Sequence, residues 1–248
     1  MSGVLTVTLM SANRLLFWLV SSKKRYVGVA KLHDDISDER VSRVCTEFQG
    51  CIYQTPPLKA AVKRQIRTRT IYSLKLLEKR DRLLLFETEV DAGTYIRKLC
   101  FDMGEALGVG MSMVELRRIA SGPFREEDLV RLEELAYAAQ LLKQGDTSEI
   151  YRVLTPVELG FPDLPFFIIR CNAADSLYRG ASLSAPGVIA YSSEIQLGAP
   201  AAVFSEEGDL VELAEPSVSA EGLASVQHGI VATPLRVLDP VVRKSASE

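Results

Sequence analysis

The 248 residues carry 47% hydrophobic and 25% charged side chains, enough apolar mass for one large core or two modest ones and too much for a disordered chain. The net charge of −3 conceals an asymmetry: residues 1–123 hold 20 Lys/Arg against 13 Asp/Glu, whereas 124–248 hold 9 against 19. The first long apolar run, Leu15 to Val20, falls well short of the roughly 20 residues that cross a bilayer and is bracketed by Arg14 and Lys23-Lys24-Arg25, which excludes a membrane span there.

No basic segment precedes that run and no small-residue cleavage site follows it, so it does not read as a signal peptide, and the protein is expected inside the cell. Cys45, Cys51, Cys100 and Cys171 form no Cys-x-x-Cys pair, and only His33 and His228 could join them around a metal. Reduced, mostly buried thiols and no metal are expected.

In chain order, Tyr26 to Leu32 is apolar enough for a strand. Ser37 then caps a helix with Val41, Val44, Cys45 and Phe48 on one face, ended by Gly50. Gln54-Thr55-Pro56-Pro57-Leu58 can continue neither a helix nor a central strand, because its two prolines remove donors and hold their neighbours extended. An ordered loop or semi-rigid arm is expected. Residues 48–77 around it contain Lys59, Lys63, Arg64, Arg67, Arg69 and Lys75 and no acid, a pattern whose natural counterpart is a polyanion.

Tyr72, Leu74 and Leu76 alternate with polar residues, as do Phe86, Thr88 and Val90, which predicts two half-buried strands joined by a hairpin around 79–82. After Asp91-Ala92-Gly93, with Thr94 as cap, Ile96, Leu99, Cys100, Met103, Ala106 and Leu107 make the buried stripe of a helix that Gly108 stops. Tyr95 and Arg97 fall in its first turn. An arginine at the positive end of a helix does little for helix stability and is well placed to meet an anion.

From Phe124 the chain turns acidic and helical through Leu129, Leu132, Leu135, Ala136, Ala139 and Leu142, until Gly145. Beyond Pro165, short runs at 166–169, 188–191, 201–204 and 229–232 are punctuated by Gly180, Pro186-Gly187, Gly198 and Gly208. They read as a separate β-rich barrel or sandwich of ~75 residues.

Several motifs carry a family resemblance: Pro56 to Arg64, Ala92-Gly93-Thr94-Tyr95-Ile96-Arg97-Lys98-Leu99, Glu115-Leu116-Arg117-Arg118 and Ser121-Gly122-Pro123-Phe124. In order and spacing they resemble the dyskerin branch of the TruB-type RNA pseudouridine synthases. Arg179-Gly180-Ala181, Pro186-Gly187-Val188 and His228 to Ala232 resemble that branch's PUA RNA-binding domain. The implied fold class is α+β: a mixed-sheet synthase-like domain over 1–160, incomplete at its N-terminus, a small β-barrel PUA domain over 161–242, and a tail at 243–248.

The resemblance implies isomerisation of uridine to pseudouridine within RNA, without cofactor or metal. Tyr26 matches the tyrosine that stacks on the flipped uracil, Arg97 the basic partner of the catalytic aspartate, and Leu116 an apolar residue of the same pocket. Lys59, Lys63, Arg64, Arg67, Arg69, Tyr95, Arg117, Arg118, Arg179 and Gly180 match RNA-binding positions. The family's Gly-Thr-Leu-Asp-Pro loop aligns just upstream of Met1, so its aspartate has no counterpart in residues 1–248. Two readings stay open: an H/ACA ribonucleoprotein synthase subunit acting on ribosomal or other RNA under a guide RNA, and a catalytically inactive RNA-binding scaffold of the same family. Guide RNA, substrate RNA and small accessory proteins are the implied partners, in the nucleolus of a eukaryote or the cytoplasm of an archaeon.

Overall fold

The structure is a computed structural model that describes residues 2–56 and 63–239. It divides into two compact units, one formed by 1–7 and 17–134, the other by 8–16 and 135–248. The segment Thr8–Leu16 therefore belongs with the C-terminal half of the chain, although it lies between two parts of the first unit in sequence.

The first unit is built on a mixed sheet. Its strands are β1 (Ser2–Gly3), β2 (Lys24–Leu32), β3 (Gly50–Gln54), β4 (Arg67–Arg80), β5 (Leu83–Val90), β6 (Met111–Ser121) and β7 (Phe124–Arg125). The spatial order is β1-β6-β2-β5-β4-β3, with β7 paired to β6, and only the β1–β6 pair is parallel. Helix α1 (Leu16–Ser21) leads into β2, while α2 (Asp38–Glu47) and α3 (Ile96–Leu107) cover one face of the sheet.

The helix faces follow the expected 3.6-residue spacing, with three differences. Helix α2 stops at Glu47, so Phe48 is its C-terminal flank and Gly50 opens β3 instead of closing the helix. In α3, Ile96, Leu99, Cys100, Met103 and Leu107 are buried as expected, but Ala106 is exposed and Gly104 lies against Met111. Tyr95, not Thr94, is the N-cap; the Thr94 hydroxyl donates to the Asp91 carbonyl at 2.8 Å within the preceding turn. Gly108 ends the helix in the left-handed conformation at φ 77°, as expected.

The β4–β5 hairpin turns at Asp81-Arg82, inside the expected 79–82. Phe86, Thr88 and Val90 face the core, as do Leu74 and the partly buried Leu76 on β4, but Tyr72 is exposed and Ile71 takes its place. A register irregularity between Ile71 and Ser73 inserts an extra residue and turns Tyr72 outward, a displacement that strict alternation does not register. Ile71, Leu84 and Leu99 are nearly fully buried, each stabilising the unit by about 1.5–3 kcal/mol.

Helix α4 (Leu132–Lys143), which belongs to the second unit from Leu135 onward, begins after Leu129 and buries only Ala138, so the expected leucine stripe is largely exposed. Two short segments, α5 (Ile150–Val153) and a 3-10 turn at Val157–Gly160, precede a six-stranded barrel-like sheet. Its strands are β8 (Phe166–Ile169), β9 (Leu183–Ser184), β10 (Val188–Tyr191), β11 (Ala201–Ser205), β12 (Leu210–Pro216) and β13 (Ile230–Val237), in the order β10-β8-β11-β12-β13-β9. Helices α6 (Cys171–Tyr178) and α7 (Ala220–Leu223) pack on it through Ala174, Leu177 and Leu223.

The strands at 166–169 and 188–191 stand where expected, whereas β12, buried at six of its seven positions, lacks the alternation that would have announced it. The 3-10 segment Met10–Leu15 docks on the same unit: Leu15 is fully buried, and Arg14 donates to the Val237 carbonyl at 2.9 Å and pairs with Asp239 at 3.0 Å. All four cysteines are unbridged; Cys45 and Cys100 are buried, but Cys51 and Cys171 are exposed, against the expectation of mostly buried thiols.

Candidate uridine-binding site

Strand β2 lies between β5 and β6, and its register sets the site. Tyr26 stands opposite Thr88 on β5 and Arg118 on β6; two residues on, Gly28 stands opposite Phe86 and Leu116. A Cβ at Gly28 would lie 2.5 Å from the Phe86 ring and 3.2 Å from Leu116 Cδ1, so only glycine lets these two side chains close over β2. Tyr26 and Leu116 are thereby diagonal cross-strand neighbours, a relation that sets residues roughly 7–8 Å apart, within reach of an aromatic side chain. Both are partly buried against the cluster that contains Ile96 and Leu99, so they share the sheet face that carries α3.

The start of α3 is delivered to the same end of the sheet. Val90, the last residue of β5, is opposite Lys24, and α3 begins six residues later. Arg97 is exposed in the first turn and has no acidic partner among the described residues. Its neighbour Lys98 instead pairs along the helix with Asp102 and lies over the Phe101 ring. Helix-start N–H groups, the helix dipole and a guanidinium unpaired among the described residues thus stand at the opening of α3, whose Ile96 packs in the same cluster as Tyr26.

Asp91, the acid nearest to Arg97 in sequence, is committed elsewhere. It accepts the Thr70 N–H at 2.6 Å and the Tyr72 hydroxyl at 2.8 Å, on the strand side of Gly93. Burial alone would raise its carboxyl, but the Thr70 and Tyr72 hydrogen bonds, with Arg69 nearby, hold it below the ordinary aspartate value.

Basic side chains gather at the root of the proline arm. Arg69 reaches Gly93, with Nη2 3.3 Å from where a Cβ would stand, and Arg67 is opposite Gln54 across β3 and β4. Both arginines bury Nε without a hydrogen-bond partner among the described residues. Lys63 and Arg64 are exposed, and Lys59, with the second arm proline, Pro57, lies outside the described residues.

Two further cations lie beside Tyr26. Lys24 is buried, with its ammonium held by the carbonyls of Leu19, Val20 and Ser22 at 3.2, 3.1 and 2.7 Å. Burial, aided by repulsion from Arg118, lowers it to about 8. Arg118 donates from Nε to the Val4 carbonyl at 2.5 Å, and Arg117 pairs with Glu126. Arg179 and Gly180, exposed at the end of α6, belong to the second unit.

The register of the first unit therefore sets Tyr26 opposite Arg118 and diagonal to Leu116, while Tyr95 and Arg97 open α3 with Gln54 and Arg69 beside that junction. Sequence reasoning missed Gln54, Gly28 and Lys24. Gln54 is 2% exposed and bonds the Tyr95 backbone through both of its amide atoms. A polar residue at an inward strand position was its only signal; Lys24, by contrast, read only as part of the basic flank of the Leu15–Val20 run.

Three domain families match successive stretches of the chain. Residues 31–96 match the TruB family pseudouridylate synthase N-terminal domain, 97–161 the tRNA pseudouridylate synthase B C-terminal domain, and 165–238 the PUA domain. A probable tRNA pseudouridine synthase B of Methanosarcina barkeri is 44% identical over 238 residues, 96% of this chain and 70% of that protein. Its counterpart in Pyrobaculum calidifontis is 43% identical over 240 residues, 96% of this chain and 72% of that protein. Among solved structures, a chain of a Cbf5–Nop10–Gar1 complex superposes with a TM-score of 0.88 at 36% identity, covering 96% of this chain and 73% of that one. A chain of an H/ACA ribonucleoprotein bound to a substrate RNA containing 2'-deoxyuridine does so with a TM-score of 0.85 at 32% identity, covering 94% and 71%. The chain belongs to the TruB-type RNA pseudouridine synthases, in their dyskerin branch.

Proposed function

We propose that the protein isomerises uridine to pseudouridine in ribosomal or other structured RNA as the synthase subunit of an H/ACA ribonucleoprotein, with the target chosen by base pairing to a guide RNA. The observation that carries this reading is the diagonal placement of Tyr26 and Leu116 about Gly28, on the sheet face that carries α3, whose first turn presents an Arg97 with no ion pair among the described residues. A uracil turned out of its stack would lie on the Tyr26 ring, with Leu116 as the apolar wall behind it. Arg97 would hold a carboxylate ionised and aimed at the sugar while the glycosidic bond breaks and the base rejoins through carbon. Lys63, Arg64, Arg67 and Arg69 would contact phosphates and set the strand's position without reading its sequence. Arg179 and Gly180 would bind RNA from the second unit. Accessory proteins such as those in the solved Cbf5 complexes would complete the particle, nucleolar in a eukaryote and cytoplasmic in an archaeon.

One observation favours a second reading. Arg97 has no carboxylate partner among the described residues, and Asp91 is occupied by Thr70 and Tyr72. In that reading the chain as given binds RNA and holds the particle together without turnover. Release of tritium from uracil C5 decides between them, with guide RNA and accessory proteins present. The synthase reading expects release by a version extended upstream through a Leu-Asp-Pro-like loop, and loss of at least about 100-fold, roughly 3 kcal/mol, in its Arg97→Ala variant. Release by the chain as given rules out the inactive-scaffold reading; no release by the extended version rules out the synthase.

A further inference from the structure

Gln54 is the last residue of β3, two positions before Pro56, and its side chain is buried. Its Oε1 accepts the Tyr95 N–H at 3.0 Å and its Nε2 donates to the Tyr95 carbonyl at 3.2 Å. Only one orientation of the amide satisfies both bonds, so its assignment follows from chemistry. Tyr95 is the N-cap of α3, and no side chain of the helix caps it. The Tyr95 carbonyl also accepts the first helical bond, from the Leu99 N–H at 2.9 Å. The opening turn of α3 is therefore capped from outside the helix, by the strand from which the proline arm emerges.

Arg97 lies two residues beyond Tyr95 and makes no ion pair of its own among the described residues. Its placement thus depends on where the first turn of α3 is held, and Gln54 holds it. Arg67 stands opposite Gln54 in register, and Arg69 reaches Gly93 on the other side of the same turn.

We infer that Gln54 is a positioning residue for the reaction: it couples engagement of an RNA backbone at the arm root to the placement of Arg97, through its paired hydrogen bonds to Tyr95. The inference rests on the functional reading above. RNA binding orders the arm root, the Gln54 amide transmits that order to Tyr95, and the first turn of α3 tightens with Arg97 aimed at the site. Loss of the coupling damages the chemical step more than binding, since a small misplacement of a reacting group is costly even when the substrate is held.

The test compares the full chain with its Gln54→Leu and Gln54→Glu variants by hydrogen exchange at residues 95–99, free and bound to a uridine-bearing hairpin RNA with its guide. The wild-type chain is expected to gain protection there on binding RNA. Gln54→Leu is expected to bind the same RNA and lose that gain. Gln54→Glu, which keeps an acceptor for the Tyr95 N–H, is expected to recover part of it, and it also serves if the leucine variant unfolds. In the upstream-extended enzyme, Gln54→Leu is expected to lower kcat at least about tenfold with KM within about threefold. Equal protection in all three proteins overturns the inference, as does a rise in KM with kcat unchanged. A wild-type chain that binds no RNA overturns the functional reading instead.

Discussion

The Asp91 carboxylate accepts the Tyr72 hydroxyl at 2.8 Å, and that bond ties the outward-turned tyrosine of β4 to the junction from which α3 starts. With Thr70 N–H on its other oxygen, Asp91 is a fastener for the hairpin. Asp91→Asn is expected to leave turnover of the upstream-extended enzyme within about threefold of wild type and to cost about 1 kcal/mol of stability through weakened hydrogen bonds. Its folded carboxyl is held low, so the contribution it makes is present above the ordinary aspartate range and is lost as pH falls through its folded value. Thermal melts of both proteins across acid pH, with a tritium-release assay, check this; abolished turnover would make Asp91 a catalytic acid.

Reversing charge at the arm should weaken RNA binding in a salt-dependent way. Lys63 is exposed and Arg67 half-buried beside Gln54. The double change Lys63→Glu with Arg67→Glu is expected to flatten the dependence of log affinity on log salt by about 1.4 to 1.8, the value for two lost phosphate contacts. Titrations at several salt concentrations read this slope. An unchanged slope removes the arm from the RNA path.

Glu212 carries the clearest pH signature of the second unit. It lies fully buried on β12 between Val203 and Val237, with neither carboxylate oxygen hydrogen-bonded among the described residues. Burial pushes it up to about 8. The unfolded chain ionises it near pH 4.3, so the folded state binds the extra proton between those values. The stability this proton contributes is fully present below about pH 4.3 and is lost as pH rises toward 8, at up to about 1.4 kcal/mol per pH unit. Glu212→Gln is expected to remove that slope and raise the melting temperature at pH 8; parallel melting curves for the two proteins would contradict it.

Thiol labelling should split the cysteines into two pairs. Burial raises Cys45 to about 11 and Cys100 to about 12, so neither is a thiolate at neutral pH, whereas Cys51 and Cys171 are exposed. A thiol-reactive disulfide reagent is expected to modify two cysteines quickly in the native protein and all four in denaturant. Four fast thiols in the native protein would show that the α2–α3 interface opens readily.

The sequence by itself determined most of the α3 stripe from Ile96 to Leu107, its stop at Gly108, the β4–β5 hairpin and several barrel strands. These are local signals of period 2 or 3.6, or turn residues, and a linear reading carries them. Tertiary structure alone decided the rest. The bulge that turns Tyr72 outward, the capping of Tyr95 by Gln54, the burial of Lys24 under α1 and the docking of Met10–Leu15 on the second unit each depend on which distant segments meet. A strand's register and a buried amide's partner are chosen by packing and by the need to satisfy every buried polar group, and neither is written in the neighbouring residues.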